Sequence, residues 1–181
     1  LQSITLLDAI EEFQLEAVIG GGRREEEKAR AKERVFSVRD VYGRWNPYDQ
    51  KPELWNLYNG SVRSGEHVRV FPLSNWTEMD VWGYVRREGI ALAPLYFPHQ
   101  RRCVQRKEGT LLADCPYVQL GPGETVKELQ VRCRTVGDMT CTGMTLSMAA
   151  TVDEVIGELL GVRNSERGSR IDDRISDTAM E

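Results

Sequence analysis

An α/β fold built on a parallel sheet is predicted by three observations near the start of this 181-residue chain. An amphipathic helix comes first, a short apolar strand follows it, and the strand runs into three consecutive glycines. Helix, strand and glycine turn in that order suit a parallel sheet, whose ligands lie beyond the carboxyl ends of the strands.

The helix covers residues 4–13. Ile4, Leu7, Ala9, Ile10 and Phe13 recur near helical spacing, and Ser3 is placed to cap them. Glu16-Ala17-Val18-Ile19 reads as the strand, ending at Gly20, Gly21 and Gly22. Glycine lets backbone N–H groups approach a ligand with no Cβ in the way. Arg23 and Arg24 add forked donors that match phosphate or sulfate oxygens. The glycine spacing is neither that of a Walker A loop nor that of a dinucleotide fingerprint. Residues 24–34 read as a helix whose apolar content is only Ala29 and Ala31. A helix polar all round is either solvated or ordered by a polyanionic ligand, with Glu26 and Arg30 as a supporting i,i+4 pair.

Residues 35–60 read as loop, with turns at Asn46-Pro47 and Lys51-Pro52. A loop this long in a compact domain is more often functional than idle. Residues 53–58 are expected to form a short helix burying its aromatics, with Trp45 and Trp55 as core anchors. Val68-Arg69-Val70-Phe71 is a second strand. Asn75 or Thr77 then starts a helix that turns Val81, Trp82 and Val85 to a core and stops at Gly89. An irregular region follows from Pro94, with a hairpin around Lys107-Glu108-Gly109. The alternation in residues 131–137 sets Arg132 and Arg134 on one face of a strand, either solvated or suited to an anion. Thr151-Val152-Asp153-Glu154 is a capping box opening a last helix. Residues 163–181 form a polar tail, expected to be disordered or docked on a partner.

Composition narrows the function. Hydrophobic residues are 40% and charged residues 29%, an ordinary globular balance. The net charge of −4 argues against a surface devoted to nucleic acid. No apolar run reaches the length of a membrane span. Cys103, Cys115, Cys133 and Cys141 contain no C-x-x-C pair and, with His67 and His99 as the only histidines, suggest free thiols rather than a metal site. His67, in a polar turn, and His99, between prolines and arginines, are expected at the surface. No Ser-His-Asp or Cys-His arrangement stands out. What remains is anion handling, which suits chemistry done by positioning and electrostatics, such as phosphoryl or nucleotidyl transfer.

Taken jointly, several stretches resemble one family. They are residues 20–37, Arg44-Trp45-Asn46-Pro47, residues 52–60, residues 68–78, Pro94-Leu95-Tyr96, residues 132–137, Thr142-Gly143 and Ser165-Glu166-Arg167. They resemble the small subunits of bacterial sulfate adenylyltransferases, members of the PP-loop ATP pyrophosphatase family that also holds the phosphoadenylyl-sulfate reductases. The resemblance implies a Rossmann-like, adenine-nucleotide α-hydrolase fold with an irregular C-terminal region. It divides the chain into a nucleotide-binding part over 1–90, a hairpin-and-helix region over 91–162 and a tail over 163–181. It implies the reaction of ATP with sulfate to give adenylyl sulfate and diphosphate, the first step of sulfate assimilation. ATP with Mg²⁺ and sulfate would be the ligands, and an elongation-factor-like GTPase large subunit the partner, in the cytoplasm.

On that resemblance Arg23 and Arg24 are the catalytic candidates. Gly20, Gly21 and Gly22 supply amides, Glu26 and Lys28 orient the arginines, and Arg132 and Arg134 are second candidates. The family's Ser-Gly-Gly-x-Asp-Ser loop does not occur in residues 1–181 and is expected upstream of Leu1, with a closing segment expected beyond Glu181. Two other readings stand beside this one. A phosphoadenylyl-sulfate or adenylyl-sulfate reductase would need a C-terminal Glu-Cys-Gly nucleophile, whereas the last cysteine here is Cys141. A non-catalytic subunit would only bind the GTPase.

Overall fold

The computed structural model describes residues 2–26, 34–106, 109–137, 139–140 and 142–161. The chain divides into two compact units, Leu1–Trp76 and Thr77–Glu181.

In the first unit the amphipathic segment forms α1, Gln2–Glu12. Because the helix already includes Ser3, that residue sits inside the first turn and is not the cap expected from the sequence. Three strands follow: β1, Ala17–Ile19; β2, Phe36–Arg39; and β3, His67–Val70. Their order is β1-β3-β2. β1 and β3 are parallel, with Ala17 opposite Val68 and Ile19 opposite Val70. β2 runs antiparallel to β3, with Phe36 opposite Val70 and Arg39 opposite His67. The sheet is therefore mixed, and the parallel arrangement is realised in the β1–β3 pair. Val35, Val38 and Val68 are buried in this unit.

Residues 40–66 are not idle loop. Asp40 closes a tight turn, its Oδ1 accepting from the amides of Tyr42 and Arg44 at 2.9 and 2.8 Å. A strap then passes along the outer edge of β2 through two single-turn 3-10 segments, Pro47–Asp49 and Leu54–Asn56. Trp55 adopts φ 53°, a left-handed conformation that costs a bulky residue energy. Its side chain is 86% exposed, so the strap presents the indole outward instead of burying it as the sequence suggested. Trp45 is only half-buried.

The second unit opens with α2, Glu78–Glu88. Thr77 and Asp80 form a reciprocal capping box, and Gly89 closes the helix in the left-handed conformation at φ 61°. Four strands follow: β4, His99–Gln105; β5, Leu111–Ala113; β6, Thr125–Cys133; and β7, Gly143–Leu146. The expected hairpin is β4–β5, with Cys103 opposite Ala113. The region read as otherwise irregular is instead a closed antiparallel barrel, ordered β4-β5-β7-β6. Closure follows from what it buries: Cys103, Leu111, Ala113, Val131, Cys133 and Met144 form its interior. The last helix, α3, is Val152–Gly161, with Glu154 accepting from the Thr151 amide at 3.2 Å. Val155 and Leu159 of α3 join Trp82 of α2 and Ala149 in a second apolar cluster. The tail from residue 162 lies outside the described residues. Among the described residues no helix is long and apolar enough to cross a membrane.

Candidate functional site

The glycine turn leaves β1 at the carboxyl end of the parallel pair. Gly20 extends the ladder by one bond, its N–H donating to the Val70 carbonyl at 2.9 Å. That amide is thus engaged by β3. A Cβ on Gly20 would lie 3.1 Å from the Phe71 ring, while one on Gly21 would meet nothing within 4 Å. The turn is secured by the loop that follows β3. The Arg24 amide donates to the Ser74 carbonyl at 3.0 Å, and Arg23 Nη1 donates to the Trp76 carbonyl at 3.2 Å. Two loops at the carboxyl ends of two parallel strands are joined in this way, where ligands of such sheets lie.

The two arginines differ sharply. Arg23 is 4% exposed, with Nη1 2.9 Å from Glu25 and Nε 3.5 Å from Glu26. Arg24 is 32% exposed, and its Nη2 lies 3.8 Å from Oε2 of Glu53 in the strap. At the described ends of the helix expected over 24–34, residues 24–26 form a turn and Arg34 is not helical; Lys28 and the rest of that stretch, residues 27–33, lie outside the described residues.

Arg132 and Arg134 belong to the second unit and do not line a solvated face. Arg132 in β6 is fully buried and donates through Nε to Glu158 of α3 at 3.1 Å. The other oxygen of Glu158 accepts from Ser147 Oγ at 2.6 Å. Arg134, just past β6, forks onto the carboxylate of Glu78 at the start of α2, through Nε at 3.3 Å and through Nη2. Sequence alternation placed the two side chains together but could not show the carboxylates waiting for them.

A polar cluster in the first unit escaped the sequence reading. Cross-strand pairing puts Ser37, Arg39, His67 and Arg69 on one face of the sheet. His67 is buried at the start of β3, not exposed in a turn. Its imidazole is held below the ordinary histidine pKa by burial first, then by Arg69 and Arg39, with Asp40 opposing. Ser37 Oγ and His67 Nε2 are buried without a hydrogen-bond partner among the described residues. The period-two patterns Phe36-Ser37-Val38-Arg39 and His67-Val68-Arg69-Val70 were the available signal. His99 is half-buried, with Nδ1 2.9 Å from the Phe97 carbonyl.

Cys103 and Cys133 are buried free thiols whose pKa values burial pushes up. Among the described residues no group of three His, Cys, Asp or Glu side chains is placed to hold a metal ion.

Residues 3–144 match the family model described as the phosphoadenosine phosphosulfate reductase domain. The chain belongs to that family. It is 58% identical to "Sulfate adenylyltransferase subunit 2" of Mycobacterium sp. (strain KMS), over 100% of this chain and 59% of that protein. It is 57% identical to the protein of the same name from Mycobacterium tuberculosis (strain ATCC 25618 / H37Rv), again over 100% of this chain and 59% of the relative. The chain therefore spans about 59% of the length of these curated relatives. The phosphoadenosine phosphosulfate reductase domain takes in the glycine turn, the strap, Arg132 and Arg134, and stops short of Glu158 in α3.

Proposed function

We propose that this chain is part of a sulfate adenylyltransferase, which joins ATP and sulfate to give adenylyl sulfate and diphosphate. The observation that carries the reading is the 57–58% identity, over the whole chain, to relatives bearing that name. A sulfate oxygen attacks the α-phosphorus and diphosphate leaves with the bonding pair of the broken P–O bond. Sulfate is already ionised, so the attack needs no general base, in keeping with a site assembled from arginines and amides. The protein's task is to hold two polyanions together against their repulsion.

Arg23 and Arg24 carry that task in this reading, with the amides of Gly21 and Gly22 at the rim of the turn. The accessible Arg24 takes the direct contact with the phosphate or sulfate oxygens. Arg23, buried against Glu25, Glu26 and the Trp76 carbonyl, holds the turn in shape. Gly20, with its amide on Val70, lets the turn pass close to Phe71. Lys28 would add a further positive charge. Arg132 and Arg134, paired with Glu158 and Glu78, take a holding role in the barrel unit. Mg²⁺ would arrive with ATP, bound through its phosphates. Forming a phosphate–sulfate anhydride is uphill, and the name "subunit 2" of the relatives fits a partner that supplies the drive, here an elongation-factor-like GTPase in the cytoplasm. The fold is read as the Rossmann-like PP-loop type, with nucleotide handled by residues 1–90.

The test is diphosphate release from ATP by the full-length protein with its partner subunit, with and without sulfate. Release that depends on sulfate, and falls about 100-fold in Arg24→Ala (about 2.7 kcal/mol), is the expected result. An unaltered rate in Arg24→Ala, or sulfite release from phosphoadenylyl sulfate in place of adenylyl transfer, overturns the reading.

A further inference from the structure

We infer that Glu53 is a positioning residue, which fixes the guanidinium of Arg24 and ties the anion end of the site to the strap. The inference rests on the reading of Arg24 as an anion-contacting group.

Around Glu53 the strap turns outward: Tyr48, Leu54, Trp55, Leu57 and Tyr58 are all exposed. The Glu53 side chain points the other way and is only 7% exposed. A carboxylate taken out of water needs partners. It accepts from the Phe36 amide at 2.7 Å and from the Val35 amide at 3.2 Å. These two bonds come from the backbone at the head of β2, so the carboxylate is immobilised independently of Arg24. It is a fixed negative point, and Arg24 Nη2 sits 3.8 Å from it. At that separation the attraction is Coulombic and not a hydrogen bond. Glu53 therefore bears on the guanidinium as a fixed negative charge.

Arg24 is consequently held at both ends, its amide on Ser74 and its head against Glu53. An arginine side chain loses substantial rotamer freedom when it is fixed on a ligand. Fixing it beforehand leaves less to lose on binding. Exposure agrees: Arg23 is 4% exposed against carboxylates of its own turn, while Arg24, with Glu53 3.8 Å away, keeps a third of its side-chain surface open.

The experiment compares Glu53→Gln, Glu53→Asp and Gln50→Ala in the full-length protein with its partner subunit. Gln50→Ala removes the strap's other anchor, at Val38, and leaves Glu53 and Arg24 in place. Two readouts are taken: diphosphate and sulfate binding by titration calorimetry, and the KM-against-kcat split for sulfate. For Glu53→Gln the expected result is about tenfold weaker diphosphate binding and about tenfold higher KM, with kcat within about threefold. Glu53→Asp, which keeps the charge, recovers part of the affinity. Gln50→Ala lowers the melting temperature yet leaves binding within about twofold. Equal losses of affinity in Glu53→Gln and Gln50→Ala would reduce Glu53 to a strap anchor and overturn the inference, as would wild-type binding in Glu53→Gln. Should the wild type bind diphosphate without turning over sulfate, the proposed reaction fails while the binding comparison still decides the role of Glu53. Failure of the wild type to bind either anion overturns the positioning role directly.

Discussion

Arg23-Arg24 in the first unit and Arg132-Cys133-Arg134 in the barrel unit are similar as sequence, two arginines close to glycine, and the molecule uses them in opposite ways. In the barrel unit each guanidinium meets a carboxylate from a different element. Arg132 meets Glu158 of α3, and Arg134 meets Glu78 of α2, so both charges fasten a helix to the barrel. In the first unit Arg23 is satisfied by carboxylates two and three positions away within its own turn, and Arg24 remains one-third exposed. Both guanidiniums of the barrel unit serve as scaffold, whereas in the first unit one of the two, Arg24, stays one-third accessible. The difference lies in the partner carboxylates and not in the arginines.

The strongest way to break this contrast is Glu78→Ala. It removes the carboxylate onto which the largely buried Arg134 forks, and is expected to cost about 3–5 kcal/mol in urea unfolding. Replacing both partners by methionine should recover most of the loss, because an apolar pair leaves no buried charge. A loss under about 1 kcal/mol in Glu78→Ala would mean the pair is no scaffold. Arg24→Ala, costly to diphosphate release as described above, should move the same unfolding midpoint little.

A smaller effect tests whether α2 depends on its cap as well as on the ion pair. Thr77 Oγ1 accepts from the Asp80 amide at 3.1 Å, and Thr77→Ala is expected to cost about 1 kcal/mol by the same measurement. An unchanged midpoint would mean that the Thr77 hydroxyl adds nothing to the helix start.

The mildest effect concerns His67, which shares its sheet face with Arg39 and Arg69. Burial and those two cations lower its folded-state pKa, so the folded protein resists protonation that the unfolded chain accepts near the ordinary histidine value, about 6.5. At pH 8 both states are neutral at this site and it contributes no pH dependence. As pH falls through the unfolded value toward the folded one, the unfolded state binds the proton first and stability declines. Unfolding midpoints at pH 8 and pH 5.5 should therefore diverge more in the wild type than in His67→Gln. Parallel pH profiles for the two would contradict the lowering of the His67 pKa by burial and its neighbouring cations.

The sequence was most informative where signals are local. The apolar spacing of α1, the strands read at residues 16–19 and 68–71, the helix start at Asn75 or Thr77, the stop at Gly89 and the box at Thr151 are each written within a few residues. Local reading failed where partners are distant. β2 alternates over only four residues, too few to distinguish it from loop, and owes its existence to β3. The barrel depends on β6 meeting both β4 and β7, a closure that no single strand announces. Trp55 resembled a core residue because indoles usually are, yet its left-handed backbone turns it outward. For the candidate site, residue type alone pointed to the glycines, Arg23 and Arg24. The burial that separates Arg23 from Arg24, and the hold of Glu53, arise from chain segments that meet only on folding.

The cover along β2 has a consequence for how molecules of this protein meet one another. β2 lies at the end of its sheet, and the open side of an edge strand is a template on which a strand from another chain can pair. Here that side is occupied by side chains: Gln50 exchanges two bonds with Val38 at 2.9 and 3.0 Å, and Glu53 takes the amides of Val35 and Phe36. A glutamine and a glutamate thus stand in for a neighbouring strand without offering a further edge of their own. The sheet is terminated on this side, and two side chains of one strap guard the protein against edge-to-edge self-association.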